Sequence, residues 1–124
     1  MAQAPAIYVP GHIVKVHLDE SLGGGKIRWM LVLSGVQSDD KGSFYLCVAI
    51  TTTFPDPPAA NNVLLPWHPE GSVSTGLRKR SAVVLDWVRR IPPEGIIQKD
   101  GYVTNRLLQQ ILKSLEDLGD ASKS

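Results

Sequence analysis

The sequence predicts a mainly β fold: a small, strongly curved antiparallel barrel of roughly five to seven strands with one C-terminal α-helix packed on it. Three observations lead there. Short apolar runs alternate with turn-forming stretches from His12 to Ile91. The apolar period then changes from two residues to about 3.6 after Thr104. The length, 124 residues, suits one domain that buries a core without covalent staples.

Residues 1–6 are small and weakly patterned and are expected to form a loose tail. His12 to Leu18 is the first strand, with Val14, Val16 and Leu18 alternating against Ile13, Lys15 and His17. Asp19 to Lys26 is a loop, and Gly23, Gly24 and Gly25 give it backbone freedom. Trp29 to Leu33 is an unbroken apolar run, the pattern of a strand buried on both faces. Gln37 to Ser43 is turn chemistry, so Phe44 to Ile50 is expected to return antiparallel as a hairpin. Pro55, Pro57 and Pro58 exclude a regular ladder between Thr53 and Asn62. Val63 to Trp67 and Ser81 to Val88 are further strands, and Pro92-Pro93 interrupts the chain after them. Leu107, Leu108, Ile111, Leu112, Leu115 and Leu118 then share one helical face. Thr104 is the expected N-cap and Gly119 the expected C′ residue. The domain is thus expected over residues 7–119, with a flexible tail over 120–124.

Composition narrows the function classes. Hydrophobic content of 43% and charged content of 20% are ordinary for a soluble globular protein. A net charge of +1 does not announce a nucleic-acid binder, so any such role must come from local charge placement. The single cysteine, Cys47, lies in an apolar run and is expected to be a buried, inert thiol. His12 and His17 share no metal-ligand spacing with a third group, and His68 beside Pro69 reads as a loop histidine. No metal and no cofactor are therefore expected. The chain carries no signal-peptide pattern and no run of about 18 apolar residues, so a cytoplasmic protein without membrane attachment is expected.

The segment from Gly23 to Thr53 carries the chemistry. Its glycine loop leads into Arg28 at one strand entrance, and Thr51-Thr52-Thr53 closes the next strand. A permanent cation near hydroxyls at a strand mouth is a workable phosphate site. The same residues also fit a solvated arginine and ordinary strand threonines.

Three blocks in this order resemble the PemK/MazF family of bacterial toxins. The first is Gly11-His12-Ile13-Val14 with Lys26-Ile27-Arg28-Trp29-Met30-Leu31-Val32-Leu33-Ser34, similar to the family's opening strand, loop and R-P-x-L-V-[IL]-S strand. The second is Val48-Ala49-Ile50-Thr51-Thr52, similar to a V-x-x-T strand end. The third runs from Gly76 to Ile91 and is similar to G-L-x-x-x-S-V-V-L-x-[DE]-Q-[IV]-R-T-I. The resemblance implies an SH3-like barrel of the PemK/MazF/CcdB kind, forming a homodimer. It also implies metal-independent endoribonuclease action on single-stranded RNA and neutralisation by a cognate antitoxin. It sets the catalytic arginine on Arg28, the catalytic threonine on Thr51 and an acidic residue used by some members on Asp86. Trp29 stands where the family has proline, His12 where it has an acid and Trp87 where it has glutamine, departures that bear on substrate preference.

Metal-free RNA cleavage proceeds by attack of a 2′-hydroxyl on the adjacent phosphorus with loss of the next 5′-oxygen. Arg28 suits charge stabilisation on the phosphoryl oxygens, because its planar fork stays protonated. Thr51 suits positioning of the phosphate. Asp86 is a candidate general base and His17 a weaker one; Asp86 equally fits an ion pair with Arg28 or Arg89. Lys26, Thr52, Arg78, Lys79, Arg80 and Arg89 are candidate RNA contacts, and each also fits solvated surface charge or a strand hydroxyl. Trp29, if exposed beside Arg28, fits a base-stacking role; as part of an apolar run it equally fits core. The alternative to a nuclease is a degenerate module on the same fold that binds RNA or a peptide without cutting.

Overall fold

The computed structural model describes residues 7–17 and 27–123, with side chains as far as Leu118. The expected N-terminal tail, the Gly23–Gly25 loop and Lys26 lie outside the described residues. Among the described residues there are seven strands and one α-helix: β1 His12–His17, β2 Ile27–Val32, β3 Gln37–Asp39, β4 Gly42–Thr51, β5 Asn62–Leu65, β6 Ser81–Ile91, β7 Ile96–Tyr102 and α1 Asn105–Lys123. The sheet order is β5-β6-β4-β2-β1-β7, with β3 paired to β4, and every pairing is antiparallel. This is the mainly β architecture with a C-terminal helix that the patterning predicts.

Two apolar cores lie on opposite faces of the central strands. One collects Ile13, Leu31, Val48, Ile50, Val83 and Leu85, and the helix adds Leu108 and Ile111 to it. The other collects Val14, Val16, Met30, Val32, Cys47 and Ala49, with Tyr45 and Ile91 beside them. Neighbouring residues on β1, β2 and β4 therefore go to different cores, as the strand period of two requires. That is why Trp29 to Leu33 reads as an unbroken apolar run. Cys47 is fully buried, and burial pushes its thiol up to about 12. A thiol reagent near pH 8 is expected to leave the native protein unlabelled and to label it once unfolded, because the thiolate is the reacting form.

Several local expectations are revised. The Gln37–Ser43 turn contains a short strand, since Gln37 to Asp39 pairs with Phe44 to Gly42. Only Asp40 and Lys41 form the reversal, and Asp39 accepts the Lys41 backbone N–H at 2.8 Å. Strand β6 continues past Val88 to Ile91, and β7 comes after Pro93–Gly95, a single 3₁₀ turn. The helix begins as expected, with Thr104 Oγ1 accepting the Leu107 N–H at 3.2 Å. It does not stop at Gly119 but runs on to Lys123, so residues 120–123 are helical backbone rather than a tail. A glycine weakens a helix by about 1 kcal/mol but does not by itself end one. Thr104→Ala is expected to cost about 1 kcal/mol in urea unfolding, the usual worth of such a cap.

Candidate functional site: two clefts at one strand mouth

The β2–β4 ladder pairs Met30 with Ala49, Leu31 with Val48 and Val32 with Cys47. Continued outward in the same register, it sets Arg28 opposite Thr51 and Trp29 opposite Ile50. Beyond Met30 and Ala49 the strands no longer pair, and the side chains at this mouth line two clefts. Alternation assigns them: Arg28, Met30 and Ala49 go to one side, Trp29, Ile50 and Thr52 to the other.

The smaller cleft, about 100 Å³, is lined by Arg28, Met30, Ala49, Trp87, Arg89, Arg90 and Ile91. The Arg28 guanidinium carbon lies 4.9 Å from the centre of the Trp87 ring, and that of Arg89 lies 5.6 Å from the same ring. Both are within cation–π range. Arg90 is committed elsewhere, donating to Asp39 Oδ2 at 2.7 Å. Among the described residues no carboxylate pairs with Arg28 or Arg89. The cleft therefore carries uncompensated positive charge, held in place by an aromatic ring rather than by an acid.

Trp87 reaches this cleft because β6 is irregular here. Val88 faces Val48, while Val84 faces the next β4 residue, Ala49. Leu85, Asp86 and Trp87 are left outside the β4 ladder, a bulge of the kind that re-aims side chains. Trp87 turns toward Arg28, whereas Asp86 accepts a hydrogen bond from Asn61 Nδ2 at 2.9 Å and lines neither cleft. Asp86 is thus not brought to Arg28, and it makes no ion pair with Arg28 or Arg89. Thr51 stands on the Arg28 side of β4 by alternation. Its Oγ1 donates to Thr53 O at 3.1 Å and accepts the Thr53 N–H at 3.0 Å, a local turn that fixes the hydroxyl. His17 pairs with Ile27 at the far end of β1, one position out of phase with the Val16–Arg28 pair, and so lies on the opposite face from Arg28.

The larger cleft, about 530 Å³, is lined by Lys15, Trp29, Ile50, Thr52, Gly76, Leu77, Arg78, Lys79, Ser81 and Asp100. Trp29 is 40% exposed and lies here, not beside Arg28. The period of two already implied this, since consecutive strand residues point to opposite faces. Trp87, which the sequence marked as a departure from the family pattern and, like Trp29 and Trp67, as either core or a stacking candidate, is the indole beside Arg28. Arg78, Lys79 and Thr52 join Trp29, while Arg89 joins Arg28. Arg80 belongs to neither cleft; it stacks on Phe54 at 4.2 Å and faces Asp56 at 3.6 Å. Among the described titratable groups, His12 is held below its ordinary range by burial and by Lys99.

The fold is thus a seven-stranded antiparallel sheet with a C-terminal helix and an arginine cleft at one strand mouth. The sequence matches the family model of the PemK-like, MazF-like toxins of type II toxin–antitoxin systems over residues 9–118, and the chain belongs to that family. Its fold is similar to that of MazF from Deinococcus radiodurans, with a TM-score of 0.66, 18% identity, and coverage of 91% of this chain and 96% of that one. It is also similar to the Mycobacterium tuberculosis toxin MazF-mt6, with a TM-score of 0.62, 19% identity, and coverage of 88% and 96%. A mycobacterial endoribonuclease in complex with its cognate antitoxin gives a TM-score of 0.62 at 16% identity, covering 90% and 95%. Comparison with curated protein sequences gives no match. Among the described residues no helix is long and apolar enough to cross a membrane.

Proposed function

We propose that this chain is the toxin of a type II toxin–antitoxin pair, a homodimeric cytoplasmic endoribonuclease that cuts single-stranded RNA without a metal and is neutralised by its cognate antitoxin. The observation that carries the proposal is the Arg28–Trp87–Arg89 cleft, whose two guanidinium groups have no carboxylate partner among the described residues. Family membership supplies the reaction class, and one of the similar structures is that of an endoribonuclease with its antitoxin. In the reaction, Arg28 stabilises charge on the non-bridging oxygens as the 2′-oxygen bonds to phosphorus and the 5′-oxygen leaves. Arg89 adds attraction for the phosphate backbone. Thr51, released from Thr53 O, donates to a phosphoryl oxygen and fixes the phosphate. Asp86 is committed to Asn61 and is assigned no step.

A second reading is favoured by specific contacts. Thr51 Oγ1 is tied into a local turn and Asp86 to Asn61, so no free base stands at Arg28 among the described residues. A module that binds RNA or a peptide without cutting would look the same. Incubating the purified protein with single-stranded RNA in EDTA separates the two. Products ending in a 2′,3′-cyclic phosphate are expected; binding without products would replace the nuclease by the binding module.

A further inference from the structure

We infer that the larger cleft is a nucleobase-stacking subsite, in which the Trp29 indole receives one unpaired base of an RNA whose phosphate lies on the Arg28 side of the same strand mouth. The inference rests on the single-stranded-RNA reading of the protein. It assigns a specific task to a cleft that this reading does not itself use.

Four observations carry it. First, the indole is both exposed and fixed. Trp29 Nε1 donates to Asp100 Oδ2 at 2.6 Å, and Asp100 is itself held by Gln98 and by Lys15 at 3.8 Å. Lys15 Nζ also lies 5.6 Å from the centre of the indole. A ring held in one orientation is what stacking needs, because little freedom is left to lose on binding. Second, the charge balance suits a polyanion. Asp100 is offset by Lys15, while Arg78 and Lys79 stand at the rim with no carboxylate partner among the described residues. Third, the volume of about 530 Å³ lies within the ordinary range for a small-molecule site, whereas the Arg28 cleft of about 100 Å³ holds no more than a small group. Fourth, the two clefts meet along one line. Arg28 and Trp29 are consecutive on β2, and Thr51 and Thr52 are consecutive at the end of β4, each pair splitting between the two sides. A strand of RNA that crosses this mouth therefore reaches both. Double-stranded RNA does not fit the scheme, because its bases are stacked within the helix and offer no free face.

Asp100 is a positioning residue in this scheme, and Trp29 is the residue that touches the base. The recognition is of a π-face, so the subsite selects an unpaired base without dictating which of the four it is.

The test uses single-stranded RNA carrying 2′-O-methyl groups throughout, which lacks the attacking hydroxyl and cannot be cut. One abasic nucleotide is walked along it, and binding is measured for wild type, Trp29→Ala, Trp29→Phe and Arg28→Ala. Wild type is expected to show one position where loss of the base weakens binding about tenfold, in keeping with removal of one stacking contact. In Trp29→Ala that position is expected to lose its penalty, in Trp29→Phe to keep most of it, and in Arg28→Ala to keep all of it. A Trp29→Ala profile identical to wild type, with the penalty intact, would overturn the subsite while leaving the nuclease reading in place. Absence of any RNA binding by wild type would overturn both, and so would be told apart. Trp29→Phe preserves an aromatic at the site, so loss of the penalty there with a wild-type melting curve also counts against stacking.

Discussion

Replacing Arg28 by alanine is expected to abolish RNA cleavage while the protein stays folded. Loss of a preorganised donor to developing charge lowers kcat by about 10²–10³-fold in known cases. Here the effect should reach at least that size, because Arg28 lines the cleft at the strand mouth and Thr51 cannot replace its charge. The fold should survive for a structural reason. Arg28 contributes to the sheet through its backbone, paired with Val16, and its side chain is only partly buried, against Trp87 at the edge of the second core. Arg28→Lys keeps the charge but loses the planar fork, so an intermediate loss is expected. Arg89→Ala should act differently, weakening binding and flattening its salt dependence with a smaller change in kcat, since its proposed part is attraction for the phosphate backbone. Single-turnover cleavage and binding measured against salt concentration separate these outcomes. Full activity in Arg28→Ala would remove the assignment.

Gly101→Ala is expected to produce the largest loss of stability among the glycine substitutions. A Cβ there would meet the backbone carbonyls of Thr75 and Ser74 inside contact distance. Those atoms cannot swing away. Thr75 is fully buried, its Oγ1 donates to Pro66 O at 2.7 Å, and Ser74 O accepts the Tyr102 N–H at 2.9 Å. Overpacking of this kind costs about 1–3 kcal/mol where the surroundings adjust, and more where they cannot. A loss above about 3 kcal/mol is therefore expected, or a melting temperature lower by roughly 10 °C or more. Gly76 makes the reciprocal contact, since its Cβ would lie 2.7 Å from Asp100 O at a φ of +71°. Gly35→Ala is the control: nothing lies within 4 Å of its Cβ, and a change within about 0.5 kcal/mol is expected. Thermal unfolding of the three variants checks the order.

The legibility of the fold comes from burial on the two faces. Strands β1, β2, β4 and the first part of β6 stood out because both their faces are covered, which leaves dense apolar runs in the sequence. The helix stood out because Leu108 and Ile111 recur at its period. Strand β7 did not. Its Ile-Ile-Gln-Lys-Asp-Gly-Tyr carries no alternation, since only Ile96 and Gly101 are buried and its ladder with β1 shifts register twice. Strand β3 is fully exposed and three residues long, so composition marked it as a turn. In the site, Arg28 was legible as a strand-entrance cation, but its aromatic partner was not. Trp87 arrives through a bulge whose register nothing in the local sequence fixes. Asp86 was named for the site because the family resemblance sets an acidic residue there, and the same bulge carries it away to Asn61.

The splitting of neighbours between two sides at the strand mouth has a consequence for how such a protein diversifies. Point changes at Trp29 or Thr52 alter the lining of the wider side and leave Arg28, Ala49 and Thr51 in place. On the proposed reading, recognition and chemistry can then drift separately, although they are encoded in neighbouring codons of the same short stretch. Insertions are a different matter. One residue gained between Trp29 and Leu31 would invert the assignment, sending the cation to the wider side and the indole to the narrower one. Length in this stretch is thus fixed, whereas the exposed Trp29 side chain can vary.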